Sequence, residues 1–415
     1  MSSCLRRSAF SVVVFACAAC ASHADFQLGV GTTAPAPPAL PRSVTAGEQK
    51  IIAASNDFSF RLFRQLARSQ ADSNVFASPF GASMALGLAM NGTAGTTTDQ
   101  MRSVLSLGGV SDSEVNESYR SLVTLLTGFD PMADFRAGNA LWYRNDFAVH
   151  QGFIDAGARS YDAQVGALDF ANSAAVQTIN ASMSTATTGR IPTMLDRVDA
   201  SQTMLLLNAI YFRGTFRDRF DPLHTTAQPF YGQAGEQVTT MMYRVGPMSY
   251  FASHELEAVA LPFGSGAFAM TIVLPRAGKG IEATIALLQT SGWTQFSSQL
   301  RDVGMNLFLP RFRILWDRTL NDDLVAFGMR EAFLPGAADF TRMSTRGREL
   351  SLGVVKQKTL IDINEDGTVA AATAPLAPST FGFVPLVMRV ERPFIVVIHE
   401  RVSGTIVFMG KVVRM

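Results

Sequence analysis

The chain has 415 residues, 47% of them hydrophobic and 17% charged, and its formal net charge is +1. This length is enough for a large hydrophobic core in one or two domains. The near-zero net charge argues against partners held by bulk electrostatics, such as nucleic acids and acidic membranes. Arginine, rather than lysine, supplies most of the positive charge, and with abundant alanine this is typical of a GC-rich bacterial genome.

The first residues have the pattern of a secretory signal peptide, predicted over residues 1–24. Arg6 and Arg7 precede an apolar run, and Ser22–Ala24 offers a cleavage site of small residues. All three cysteines lie in this segment, so the mature protein is predicted to have no internal disulfide. The sequence therefore predicts a secreted or periplasmic protein. A lipoprotein signal ending before Cys20, with a lipid attached to Cys20, is the alternative.

A proline-rich linker is predicted over residues 25–44, followed by a single domain over residues 45–415. In chain order, helical patterns occupy Gly47–Arg68, Ser78–Asn91, Thr97–Leu107, Ser111–Thr127 and His150–Tyr161. Strand patterns then dominate, at Asn139–Tyr143, Thr203–Phe212, Met241–Phe251, Leu256–Pro262, Met270–Pro275, Asn306–Arg313, Leu350–Ile363 and Phe394–Val413. Helices clustered early and strands clustered late favour an α+β fold with large mixed sheets.

Residues arranged for catalysis or metal binding are sparse in this sequence. It contains neither a Gly-x-Ser-x-Gly elbow nor a His-Glu-x-x-His motif, and no glycine-rich phosphate loop follows a strand. The mature chain has no cysteine to supply thiolate ligands. These features argue against an enzyme and predict neither a cofactor nor a metal. A catalytic triad assembled from distant residues is the remaining enzyme hypothesis.

An unusual small-residue stretch, Glu-Asp-Gly-Thr-Val-Ala-Ala-Ala-Thr, occupies residues 365–373. Alanine is a poor strand former, glycine weakens strands, and the stretch has no apolar stripe at helical spacing. It nevertheless lies between two predicted strands, Leu350–Ile363 and Phe394–Val413. It is therefore predicted either to remain outside the fold as a tether or to occupy a tight gap in a sheet.

Several sequence blocks, in their order and spacing, resemble the serpin family. Any single block is a weak signal, but together they extend through residues 45–415. The blocks are Asn74–Pro79, Ala94–Thr97, Asn139–Trp142, Leu207–Gly214, Phe220–Pro222, Leu309–Phe312, Ala338–Phe340, Arg392–Phe394 and Phe408–Gly410.

The resemblance implies an α+β serpin fold of roughly nine helices and three β-sheets with an exposed reactive-centre loop. It also implies an inhibitor of serine proteases. The target cleaves the loop, forms a 1:1 covalent acyl complex and is trapped when the loop inserts into the central sheet. A monomer that binds no nucleic acid is expected. Heparin binding is not expected either, because Ser111–Thr127 is acidic. The alternative is a non-inhibitory serpin, a protease substrate or binding protein, favoured by Pro375 and Pro378, which lack a strand N–H.

The resemblance assigns the hinge of that loop to eight residues. An inserting strand alternates faces, so four residues would turn inward, where large or charged groups clash: Thr368, Ala370, Ala372 and Ala374. All four residues are small, and Gly367 lets the chain reverse direction. The hinge residues are Glu365, Asp366, Gly367, Thr368, Val369, Ala370, Ala371 and Ala372.

The reactive bond is predicted between Phe381 and Gly382. This position follows from counting fourteen residues on from the hinge glycine, as in typical inhibitory members. An aromatic residue on the acyl side fills an apolar specificity pocket, so chymotrypsin-like or subtilisin-like targets are expected. Counting back from Pro393 gives Gly382–Phe383 instead, and Thr380 would indicate an elastase-like target.

Two further sets follow from the same resemblance. The shutter, a polar set beneath the sheet that opens, is assigned to Ser78, Asn208 and Gln357. The breach, the upper end where the hinge enters, is assigned to Phe216. Family members often have His at the position of Gln357 and Trp at that of Phe216. Ordinary core packing and hydrogen bonding is the alternative interpretation of all four residues.

Overall fold

The computed structural model describes residues 36–368 and 386–415, and the structural statements below concern those residues. Within them the chain forms nine α-helices, and the five predicted from the sequence are confirmed to within three residues at each end. The helices are α1 Ala46–Ser69, α2 Pro79–Met90, α3 Gly95–Val104, α4 Asp112–Leu126, α5 Gln151–Tyr161, α6 Ala174–Ala186, α7 Ile281–Leu287, α8 Thr290–Ser298 and α9 Asn321–Ala326.

The same two ranges contain fourteen β-strands, which dominate the second half of the chain. The strands are β1 Val75–Ala77, β2 Ala133–Arg144, β3 Ala163–Leu168, β4 Met204–Gly214, β5 Thr226–Gly232, β6 Gly235–Ala252, β7 Leu256–Pro262, β8 Phe268–Pro275, β9 Arg301–Pro310, β10 Phe312–Thr319, β11 Leu352–Ile363, β12 Leu386–Arg389, β13 Phe394–Glu400 and β14 Ile406–Val412. The α+β class predicted from the sequence is confirmed.

A five-stranded sheet positions the candidate site. Its strand order is β10-β11-β4-β2-β3. The central pair, β11 and β4, is parallel, whereas β10 and β2 are antiparallel to the strands that they flank. Parallel neighbours are connected by long crossovers, and here about 140 residues separate the two strands. The centre of this sheet is therefore built from distant parts of the sequence.

The long strand β6 joins two further groups of strands. On one side it pairs with β5 and β9, and β9 pairs in turn with β12. Only its last four residues, Ser249–Ala252, pair with β7, which leads through β8, β13 and β14 to β1. With the five-stranded sheet, these two groups account for the three sheets that the resemblance implied.

Helix α2 lies in the core between the sheets, where it packs against β4 and β14. All twelve of its residues are buried, which explains why its own side chains are small or apolar on every face of the helix. Ser78 is its N-cap, accepting a hydrogen bond from the Gly81 N–H, and Pro79 is its first residue. The predicted helical pattern Ser78–Asn91 therefore begins at the cap residue itself.

Two predicted strands were wrong in extent. The stretch Asn306–Arg313 belongs to two strands, which Arg311 separates: β9 pairs with β6, whereas β10 pairs with β11 in the five-stranded sheet. The run Phe394–Val413 is a hairpin, β13 and β14, whose turn includes Gly404 with a φ of 73°. In both cases the break between two strands is short, so the apolar pattern reads them as a single run. Strands β1, β3, β5 and β12 and helices α6 to α9 were missed.

Candidate functional site

The hinge begins with a tight turn directly after β11. The Asn364 N–H donates to the Gly367 carbonyl at 2.8 Å, and the Gly367 N–H donates back to the Asn364 carbonyl at 3.0 Å. Gly367 has a φ of 122°, and a Cβ there would collide with the Gly214 carbonyl oxygen. Residues with side chains rarely adopt this conformation. Only glycine therefore fits the point at which the chain reverses.

Gly367 lies between the continuations of two neighbouring strands. It forms one antiparallel bridge with Thr215, one residue past β4, and another with Asn364, one residue past β11. The next residue, Thr368, is buried, and its N–H donates to the Gly214 carbonyl at 2.7 Å. Gly367 and Thr368 therefore lie between the ends of β11 and β4, and the bridges of Gly367 are antiparallel to both.

Below this point β11 and β4 pair directly with each other. Their parallel register runs from Leu352 opposite Met204 to Leu360 opposite Tyr211. A strand continuing from Thr368 would run antiparallel to both neighbours and would have to separate them. The site is thus a closed strand pair with the first residues of an additional strand at its end.

Glu365 ties the hinge turn to neighbouring elements. Its carboxylate accepts hydrogen bonds from Arg311 Nε at 2.9 and 2.8 Å and from the Thr225 hydroxyl at 2.6 Å. Burial by itself raises the pKa of Glu365, but the hydrogen bonds from Arg311 and Thr225 outweigh it and hold the pKa below its usual value. The next residue, Asp366, pairs with Arg219 at 3.3 Å. Two arginines therefore hold the turn.

Gln357 connects the shutter residues. Its side-chain oxygen accepts from the Ser78 N–H at 2.9 Å, and its amide donates to the Ser78 carbonyl at 2.8 Å and to Asn208 Oδ1 at 2.7 Å. The Ser78 hydroxyl donates to the Val407 carbonyl at 2.7 Å. All three shutter residues are buried. The structure thus brings together the N-cap of α2, both central strands of the five-stranded sheet and β14.

The hydrogen-bond network extends one strand further. The Asn208 amide donates to Asn139 Oδ1 on β2 at 2.8 Å, and the Asn139 amide donates to the Tyr161 carbonyl at the end of α5. The Gln357–Asn208 bond joins β11 directly to β4. Any separation of these two strands therefore breaks a buried hydrogen bond inside the network.

Phe216 packs in an aromatic cluster beside the hinge turn. Its ring stacks on Phe263 with centroids 5.0 Å apart and meets Phe220 edge-on at 5.6 Å. Its backbone N–H donates to the Asp366 carbonyl at 2.7 Å. Phe216 therefore forms the apolar support under the turn and is itself hydrogen-bonded to it.

The remaining predicted site residues lie outside the described residues, and their roles stay predictions. They are Val369, Ala370, Ala371, Ala372, Thr380, Phe381, Gly382 and Phe383 in the loop, and Cys20 near the N-terminus.

Sequence analysis did not assign a role to Arg311, Thr225 or Asn139. Arg311 and Asn139 stand in blocks that resemble the family, and that resemblance was the available signal. The pattern does not reveal its partner, because Glu365 lies 54 residues away in the chain. The described ranges contain no group of three or more His, Cys, Asp and Glu suited to a metal ion. None of their helices combines the length and apolar character of a membrane span.

Comparisons with known sequences agree with this geometry. A family model described as serpin (serine protease inhibitor) matches residues 53–415. An uncharacterised serpin-like protein of Thermococcus kodakarensis is 29% identical over 377 residues, which cover 88% of this chain and 86% of that protein. Human leukocyte elastase inhibitor is 29% identical over 378 residues, which cover 88% of this chain and 99% of that protein.

Solved structures show the same fold. Human thyroxine-binding globulin complexed with thyroxine matches with a TM-score of 0.82 and 25% identity, covering 89% of this chain and 99% of that one. The thermophilic serpin Tengpin in its native state matches with a TM-score of 0.82 and 24% identity, covering 92% and 97%. Since the family model spans residues 53–415 and the relatives align over nearly their whole length, the chain belongs to the serpin family.

Proposed function

We propose that this chain inhibits serine proteases as a suicide substrate. Serpins are mainly protease inhibitors or binding proteins, so inhibition is the first hypothesis for a member. The observation that supports it best is the position of Gly367, which pairs with both Thr215 and Asn364. Insertion of the loop as a strand is an established behaviour of serpins. In this chain the start of such a strand already lies between the two strand ends.

Insertion would exchange one parallel strand pair for two antiparallel pairs. The β11–β4 pair has eight residues of each strand in register. A new strand of about 12 residues would form hydrogen bonds on both edges, each worth roughly 0.5–1.5 kcal/mol net. Pro375 and Pro378 would remove up to two of these bonds. The intact chain is therefore metastable relative to the inserted form.

The proposed partner is a chymotrypsin-like or subtilisin-like protease that attacks the Phe381–Gly382 bond. An aromatic residue on the acyl side suits an apolar specificity pocket. The proposed product is a 1:1 acyl complex with a monomeric inhibitor. The signal segment supports a secreted or periplasmic location. The alternative is a lipid anchor on Cys20, and mass spectrometry of the mature N-terminus distinguishes the two.

Incubation of the mature chain with chymotrypsin, and separately with subtilisin, tests this proposal. We expect an adduct with the summed mass of both proteins that survives denaturing gel electrophoresis. Mass spectrometry of the released fragment should show Gly382 at its N-terminus. Complete release of active enzyme, with every inhibitor molecule cut and no adduct, would contradict the trap.

Two neighbouring substitutions give a matched pair. Ala370→Arg puts a long charged side chain on the face predicted to turn into the sheet, whereas Val369→Arg puts it on the opposite face. We expect Ala370→Arg to abolish the adduct and turn the chain into a substrate, while Val369→Arg retains at least half of the adduct. Equal behaviour of the two variants would contradict strand insertion.

A second candidate function, carriage of a small aromatic acid, is supported by a cavity of about 490 Å³ between α1, α8 and the β13–β14 turn. Its lining includes Trp293, His399 and Arg401, which offer aromatic stacking and a cation. Thyroxine is a suitable probe because the similar globulin structure contains it. Saturable quenching of tryptophan fluorescence that Trp293→Phe removes and Trp142→Phe preserves would support carriage. Absence of quenching by thyroxine would count against it.

A further inference from the structure

An exposed apolar patch crosses the strands β6, β9 and β12. In register, Val245 of β6 lies opposite Asn306 of β9, which lies opposite Val387 of β12. Directly paired residues share one face of a sheet, so the three side chains form a row, here called the valine row. Val245 is 40% exposed and Val387 is 51% exposed. Two strand spacings separate the valines by about 10 Å.

The neighbouring row on the same face supports the valine row. The rings of Tyr243 and Phe308 lie 5.0 Å apart, and the Arg389 guanidinium lies 4.1 Å above Phe308. The Tyr243 hydroxyl donates to Asn306 Oδ1 at 2.7 Å. Arg389 in turn pairs with Glu391 at 3.0 Å. The valine row thus contains no ionisable side chain of its own, and both Asn306 Oδ1 and the Arg389 guanidinium beside it have partners within the chain.

The covalent chain fixes how far this surface lies from the proposed reactive bond. Strand β12 begins at Leu386, four residues after Gly382. Four residues span at most about 14 Å. A protease domain of about 230 residues has a radius of gyration of about 17 Å. An enzyme that holds the Phe381–Gly382 bond therefore cannot avoid the surface around the first residues of β12.

We propose that the valine row is a docking surface for the target protease, contacted by an uncharged apolar rim beside the enzyme's active-site cleft. This proposal rests on the proposed function, because it takes the loop as the substrate. Covering the exposed valines with an apolar surface removes them from water, which makes the free energy of association more favourable. The enzyme already held at the loop, a few residues away, is the partner placed to do so. The valine row thereby favours proteases whose rim is apolar over those whose rim is charged.

The experiment measures the second-order rate at which chymotrypsin and subtilisin attack the loop, counting adduct and cut chain together. The variants are Val245→Asp, Val245→Lys, Val387→Asp and Val387→Lys. We expect each to slow attack about tenfold, because either charge would have to be desolvated in the complex. Val245 is informative because it lies on a different strand, far from the loop in sequence, so its effect does not act through the loop's own residues.

Val238→Asp and Val238→Lys are the matched controls. Val238 is on the same strand, is 75% exposed and lies seven residues, or about 23 Å, from Val245. We expect these controls to change the attack rate less than twofold, with melting temperatures of all variants within 2 °C of the parent. Any of three results would overturn the docking surface. The attack rate could be unchanged in the Val245 and Val387 variants, it could fall equally in the Val238 variants, or Asp and Lys at one position could have opposite effects.

The attack rate and the product ratio separate the two proposals. If the parent chain is attacked but yields only cut chain, the trap fails, while the rates of the valine variants still decide the docking surface. If the parent yields adduct and the valine variants are attacked at its rate, only the docking surface fails. A loop that neither enzyme attacks overturns the proposed target class and the docking surface together.

Discussion

Gln357 is the side chain that joins the two strands on either side of the proposed insertion point. It hydrogen-bonds the backbone of Ser78 in both directions and also reaches Asn208. The sequence suggested these three residues only through the family resemblance. Their contacts depend on parts of the chain that are 149 and 279 residues apart. A sequence pattern cannot specify such contacts, because they depend on how the core packs.

Replacing Gln357 tests the energetic role of this network. Gln357→Leu keeps the volume similar but leaves the Ser78 N–H and Asn208 Oδ1 unsatisfied, whereas the Ser78 carbonyl keeps its hydrogen bond from the Ala82 N–H. Because buried unpaired groups cost about 1–3 kcal/mol each, we expect the free energy of unfolding to fall by about 3 kcal/mol. Urea unfolding measures it, with the exposed Gln295→Leu of α8 as a control expected within about 0.5 kcal/mol. Equal effects of the two variants would show that the network is not stabilising.

His399 provides a prediction for pH. Burial, together with the nearby charge of Arg401, lowers its pKa to about 4, and its Nε2 lies 3.1 Å from the Thr271 hydroxyl. An unfolded histidine has a pKa near 6.5, so the unfolded state takes up a proton first as the pH falls. Stability from neutral His399 is complete above pH 6.5 and is lost as pH approaches 4, by roughly 3 kcal/mol.

The measurement is the free energy of unfolding at pH 7 and at pH 4. We expect His399→Gln to flatten this difference, since the buried titrating group is gone. His224→Gln is the matched control, because His224 is 63% exposed on the surface, and it should reproduce the parent's curve. A parent-like slope in His399→Gln would refute the assignment.

At the scale of elements, the hinge turn combines a composition visible in the sequence with contacts that are not. Glycine after Glu-Asp and before small residues suggested a reversal of direction. The turn is held by Arg311, and Arg311 lies at the break between β9 and β10 that the sequence did not predict. The apolar end of β9 is followed directly by Phe312, the buried first residue of β10, so the apolar pattern continued past Arg311 without marking the break. The register of β11 on β4 likewise depends on burial against α2.

Glu365→Gln tests the contacts that hold the turn. It removes the charge that Arg311 Nε binds while retaining the shape. Hydrogen bonds to buried charged groups contribute about 1.5–3 kcal/mol, so we expect roughly 2 kcal/mol less stability at pH 7. Because the pKa of Glu365 is depressed, this difference should exist above its unfolded pKa and disappear as the pH falls through the folded one.

The control for this prediction is a second Arg–Glu pair, Arg346 with Glu349, at 2.6 Å. Both of its side chains are about half exposed, so water screens the pair and Glu349→Gln should leave the melting temperature almost unchanged. Thermal melting at pH 7 and pH 3 compares the two variants. An effect of Glu365→Gln as small as the control's would show that the pair does not hold the turn.

At the scale of the whole molecule, the proposed insertion predicts that the cut chain is more stable than the intact one. In that proposal, cutting the loop removes the tether that keeps the new strand from continuing between β11 and β4. About 12 new net hydrogen bonds at roughly 1 kcal/mol each, in a domain of about 370 residues, raise the melting temperature by roughly 15 °C. Calorimetry before and after limited proteolysis measures the change. The variant Ala370→Arg should gain less than about 3 °C, and a cut parent chain that gains no more than this would contradict insertion.

The sequence by itself determined the α+β class, most helices and strands, the family resemblance and the small residues of the hinge. These features are encoded locally, by periodicity, capping and composition. Only the tertiary structure decided that Gly367 pairs with both Asn364 and Thr215, that Gln357 bridges β11 and β4, and that Val245 and Val387 share one exposed row. The physical reason is that strand register and burial are properties of distant segments packed together, and no local pattern contains them.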